Sequence, residues 1–148
     1  MGERAFQYKI GRFMLLSNAL IFVLLCIFYF LPGFTDDELA STLKLVVPVE
    51  SVYMAAIIKF LIGNKKASAA NEPDEQLSGM YMSISKTIIY SHAGLIVLAI
   101  TAKALGAISF PAFTNFLVII ETCFGAYVGS ILTDLFGIAK KEEKESEA

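Results

Sequence analysis

Four long apolar stretches, each bounded by polar or helix-breaking residues, dominate the pattern of this chain. They run over 13–34, 43–62, 85–108 and 113–136, and each is near the length of about 20 residues that a helix needs to cross a bilayer. The first holds no Asp, Glu, Lys, Arg or His. It is long for a signal-peptide core and no small-residue cleavage pattern follows it, so it reads as a retained signal anchor. The predicted class is an all-α integral membrane protein with four transmembrane helices in a single membrane domain, 1–148.

The pattern also repeats. At a constant offset of 74 residues, without a gap, Ser17 meets Ser91, Asn18 meets His92 and Ala19 meets Ala93. The register continues through Leu31/Leu105, Leu43/Leu117, Tyr53/Tyr127 and Gly63/Gly137. Apolar matches arise easily among membrane sequences, so the paired Ser, Tyr and Gly positions carry the weight. The pattern reads as a tandem duplication of a two-helix hairpin. Residues 1–63 form the first hairpin, 64–84 a cytoplasmic linker, 85–137 the second hairpin and 138–148 a charged cytoplasmic tail. Two hairpins of like orientation imply a pseudo-twofold axis along the membrane normal.

The breaks between stretches have their own chemistry. Pro32-Gly33 stops the first helix, and Thr35-Asp36-Asp37-Glu38 is a capping-box pattern that would start the second helix early, above the bilayer. Pro111 sits where a first helical turn tolerates it.

Charge placement gives the orientation. Arg4, Lys9 and Arg12 precede the first stretch; Lys59, Lys65, Lys66 and Lys86 flank the middle connection; Lys140, Lys141 and Lys144 follow the last stretch. Only Lys44 and Lys103 border the other two connections. Basic residues mark the cytoplasmic side, so both termini are expected inside, and the expected location is a bacterial inner (plasma) membrane. Composition agrees: 56% hydrophobic and 18% charged residues, with a mean hydropathy of +0.65, are too apolar for a soluble domain. Cys26 and Cys123 both fall within predicted helices and are expected to be packed hydrophobes rather than a disulfide or metal pair.

Ionisable groups at membrane depth are costly, about 2.5–3.5 kcal/mol each at a helix centre on insertion scales. Glu50, Glu121 and His92 are therefore the candidate pore or proton-binding residues. The two Glu are three positions away from being repeat mates, close to one helical turn, so they keep similar helix faces. Near a common axis they would repel if both were ionised, and at least one is expected to hold a proton. The alternative is that they are hydrogen-bonded structural groups that hold helices together.

Ser17, Asn18 and Ser91, with His92, are expected to form an interhelical polar layer in the cytoplasmic part of the membrane. A single His with no Cys or acidic partner at ligand spacing is not expected to hold a metal. Glu121, Gly125 and Gly129 share one stripe that carries a GxxxG motif, and Ser51 and Ala55 are the repeat-equivalent small pair. These predict helices 2 and 4 as central or oligomer-facing. Lys59 and Asp134 align within one position and are candidates for a cytoplasmic gate or clamp.

Two fused hairpins with an acidic residue in the second helix of each half are similar in outline to the duplicated proteolipid rotor subunits of vacuolar-type ATPases. That family is densely Gly- and Ala-rich along its inner helices. This chain has ten Gly in total and bulky Phe, Leu and Ile runs, so no residue role is carried over.

No phosphate-cradling Gly loop, nucleophile elbow or HExxH motif is present, and neither enzymatic activity nor a cofactor is expected. The expected function is a cation- or proton-conducting pore, formed by a homo-oligomer in the lipid bilayer. A membrane-depolarising effector fits so minimal a pore. The alternative is a membrane anchor or regulatory subunit that docks a cytoplasmic protein through the linker and tail. Nothing suggests nucleic-acid binding.

Overall fold

A computed structural model describes residues 2–67 and 78–136, and these form four α-helices: α1 Glu3–Phe30, α2 Asp36–Ala67, α3 Gly79–Ala104 and α4 Phe110–Phe136. All four are long and apolar enough to cross a membrane. Helix α1 starts well before the apolar stretch at 13. Phe6, Ile10 and Met14 lie at i, i+4 and i+8, and this stripe is buried, so packing extends the helix through its basic first turns.

Local chemistry fixes the helix ends. At α2 the capping box forms in both directions: the Thr35 N–H donates to Glu38 Oε2 at 3.0 Å and the Glu38 N–H to Thr35 Oγ1 at 3.4 Å. Helix α3 closes with a Schellman motif. The Ala107 N–H reaches the Ala102 carbonyl at 2.8 Å, the Gly106 N–H reaches the Lys103 carbonyl at 3.0 Å, and Gly106 has φ of 73°. Lys103 then ties the two loops together. Its Nζ donates to the Gly33 carbonyl at 3.2 Å and to Glu38 Oε2 at 3.1 Å, and it lies over the Phe34 ring. Both hairpin loops thus share one end of the bundle.

Around the bundle each helix packs on two neighbours: α1 on α2 and α3, and α4 on α2 and α3. The repeat mates α1/α3 and α2/α4 therefore stand side by side. A twofold axis along the normal through the bundle centre would set mates on the diagonals, so the observed order does not follow the pseudo-axis expected from the repeat. The hairpins lie flat against each other, α1 beside α3 and α2 beside α4.

Two apolar clusters fill the interior. One, near the loop end, includes Ile21, Leu25, Val46, Ile96, Phe113 and Leu117. The other, near the opposite end, includes Phe6, Ile10, Met14, Ile57, Ile89 and Val128. The outside is apolar too: Leu16, Leu20, Val23 and Ile27 on α1 are all exposed, the composition of a lipid-facing surface. Cys26 and Cys123 lie on this outer surface, not in the core where the sequence suggested them.

Candidate functional site

Between the two apolar clusters sits one polar layer, to which every helix contributes one residue: Asn18 from α1, Glu50 from α2, His92 from α3 and Glu121 from α4. At 1.5 Å per residue they lie about 16–21 Å from the loop-side helix ends, near the middle of a bilayer core about 30 Å thick. Asn18, Glu50 and His92 are buried at 3, 2 and 5% exposure, and the Glu121 side chain is 11% exposed.

The titratable groups converge. One ligand atom each from Glu50, His92 and Glu121 falls within 4.8 Å of the others, and His92 Nε2 lies 3.5 Å from Glu121 Oε2. Asn18 Nδ2, His92 Nε2 and both Glu121 carboxylate oxygens are buried without a hydrogen-bond partner. Two carboxylates this close repel by on the order of 3 kcal/mol even at an effective dielectric constant of about 20. Leaving several buried polar atoms unsatisfied adds about 1–3 kcal/mol for each. The layer thus brings two carboxylates and an imidazole together beside an amide donor, with several of their polar atoms unsatisfied.

Aromatic rings wall it in. Tyr53 meets His92 edge-on with centroids 6.1 Å apart, and the Phe124 ring lies 6.0 Å from His92. A cavity of about 10 Å³, lined in part by Met14, Asn18, Glu50, Ile89 and His92, opens against the layer. That volume is at the lower limit of what admits a single water molecule.

The remaining candidates are placed elsewhere. Ser17 donates back along its own helix to the Phe13 carbonyl at 2.9 Å, and Ser91 is exposed on the far side of α3. Neither meets Asn18 and His92 in the layer. Gly125 faces α2: a Cβ there would stand 3.1 Å from the Tyr53 hydroxyl. Gly129 is half-buried one turn further along, whereas Ser51 and Ala55 are exposed on the outside of α2. The two small pairs therefore do not face each other. Lys59 is exposed on α2; Asp134 lies within α4, and its side chain falls outside the described residues, as do the tail, 138–148, and residues 68–77 of the linker.

Sequence spacing along α3 offers His92 no acidic partner, but the fold brings one from α2 and another from α4. Tyr53 and the Lys103–Glu38 tie were not singled out from the sequence. A Tyr one turn from Glu50 is a weak signal by itself, and Lys103 reads only as a loop-border charge. No family model, curated protein or solved structure matches this chain, so its function has to be read from the site's own chemistry.

Proposed function

We propose that this chain is an integral membrane protein that moves protons or cations across its bilayer, with the Asn18–Glu50–His92–Glu121 layer as the binding step. One observation carries the reading: two carboxylates and an imidazole converge at mid-depth of an otherwise apolar bundle. Ionisable groups so placed mark ion or proton pathways by default. Apolar clusters on both sides make the site an occluded one. Transport then requires each cluster to open in turn, and the conductor is gated rather than a standing aqueous channel.

Because the carboxylates face the interior of a single chain, conduction needs no lumen shared between subunits. Homo-oligomers would form instead through the outer face of α2, where Ser51 and Ala55 permit close helix approach. In the same reading the two hairpins are a tandem duplication, both termini are cytoplasmic as the Lys and Arg placement demands, and the chain is no enzyme. A depolarising effector in a bacterial inner membrane fits this description.

The test is flux in proteoliposomes under an imposed potential. Wild-type protein dissipates a proton or cation gradient, and Glu50→Gln with Glu121→Gln abolishes this while leaving the fold intact. The second reading, an anchor that docks a cytoplasmic partner through the linker and tail, is favoured by one observation: apolar clusters close the layer from both ends. Capture of a partner that disappears when 64–78 is deleted, together with absent flux, would select it.

A further inference from the structure

The geometry points to a divalent transition cation, of the zinc, iron or manganese type, as the occupant of the Glu50–His92–Glu121 cluster. This inference rests on the layer being a binding site, and it names what is bound. Three features argue for it together.

The first is charge. Two ionised carboxylates would carry −2 into a region of low dielectric, and one divalent ion neutralises both at once while the neutral imidazole serves as a ligand. The second is the orphaned donor set. His92 Nε2 and both Glu121 oxygens are buried with no hydrogen-bond partner, and the 3.5 Å between Nε2 and Glu121 Oε2 is longer than a usual hydrogen bond. It is close to the ~3.4 Å edge of a tetrahedron whose ligands lie about 2.1 Å from the metal. The third is ligand type. An imidazole with carboxylates suits zinc, iron or manganese, while calcium and magnesium prefer all-oxygen shells.

Asn18 completes the arrangement. Its amide is buried beside the cluster with Nδ2 unpartnered. It can donate to a carboxylate oxygen that the ion leaves free or, turned over, present Oδ1 as a further ligand. The three ligand atoms lie within 4.8 Å of one another and need to close by at most about 1.4 Å to share an ion at tetrahedral distances, a movement that side-chain torsions supply. Tyr53 and Phe124 both contact the His92 ring and limit its rotation.

The experiment is a Co²⁺ titration of the purified full-length protein, without a polyhistidine tag, in detergent. It is followed by visible absorption and by metal content after dialysis. The expected result is one Co²⁺ per chain with the absorption bands of a nitrogen–oxygen site. Glu50→Gln, Glu121→Gln and His92→Gln each weaken binding by more than about 100-fold, beyond the 10–100-fold that losing a supporting residue costs. Asp37→Asn, exposed at the start of α2, leaves the titration unchanged.

Wild-type protein gives an independent arm that needs no variant to fold: Co²⁺ raises its melting temperature, and Mg²⁺ at the same concentration does not. Substoichiometric Co²⁺ in the wild type, or a titration indifferent to all three substitutions, overturns the metal site. If Glu-dependent proton flux persists alongside that result, the conductor reading stands without the metal. If flux is absent as well, both fall.

Discussion

His92 Nε2 faces Glu121 Oε2 at 3.5 Å across the α3–α4 interface, and both atoms are buried without a hydrogen-bond partner. No short hydrogen bond closes this gap. The open geometry leaves the polar layer as a local cost that the apolar clusters above and below offset.

That cost is measurable. Replacing Glu50, His92 and Glu121 together by Leu removes the uncompensated polar groups, and swaps of this kind in buried ionic sets are neutral or stabilising by about 1–4 kcal/mol. The expected outcome is a bundle that unfolds at the same temperature or higher in detergent, with no flux in liposomes. Collapse of the fold would show that the layer holds the helices together instead.

Much of this layer was legible in the sequence, but not its unity. Asn18, Glu50, His92 and Glu121 each stand out as polar residues in apolar runs. Depth measured from the edges of those runs, however, put Asn18 and His92 in a layer on the cytoplasmic side, to which neither Glu was assigned. Helices α1 and α3 begin at Glu3 and Gly79 and α2 begins at Asp36, beyond the apolar edges, and counting from the real ends brings all four to one level. Rotation about the helix axis was less legible still. A lipid-facing Leu and a core-facing Leu look alike, because in a bilayer both surroundings are apolar. The inward turn of Gly125 and the outward turn of Ser51 could not be read from periodicity.

The α2–α4 approach gives a test of that rotation. A Cβ at residue 125 would meet the Tyr53 hydroxyl at 3.1 Å, so Gly125→Ala is expected to set an overpacking cost of about 1–2 kcal/mol against a helix-propensity gain of about 0.5–1 kcal/mol. Tyr53→Phe removes the oxygen it meets, and the same Gly125→Ala change in that background should be more favourable by about 1 kcal/mol or more. Equal costs in both backgrounds, read from denaturation in mixed micelles, would place Gly125 elsewhere.

At the loop end, Gly33 lets the α1–α2 turn rest on α3. A Cβ there would come within 2.9 Å of the Ala104 Cβ and 3.0 Å of the Phe28 carbonyl. Gly33→Ala is expected to destabilise by about 1–3 kcal/mol. At Gly106 the space is open but φ is 73°, so Gly106→Ala costs about 1–2 kcal/mol through backbone strain alone. Gly106→Asn should recover part of that loss, because Asn visits this region more readily than Ala, whereas Gly33→Asn should recover none.

The Lys103–Glu38 tie is part-buried and is reinforced by the Gly33 carbonyl and the Phe34 ring. Its contribution should therefore exceed that of a surface pair, which is typically below about 1 kcal/mol. A double-mutant cycle with Lys103→Met and Glu38→Gln should give a coupling of about 1–2 kcal/mol, and Thr35→Ala should cost about 1 kcal/mol at the capping box. Strict additivity of Lys103→Met and Glu38→Gln would mean that the loops are not tied in solution.

The most direct measurement is flux through purified protein in liposomes, read with proton-, potassium- and zinc-sensitive dyes under an imposed potential. The expected result is a gradient that collapses with wild-type protein and persists, as in protein-free vesicles, when Glu50→Gln and Glu121→Gln are combined. Undiminished flux in that double variant would contradict a carboxylate-dependent path through the bundle.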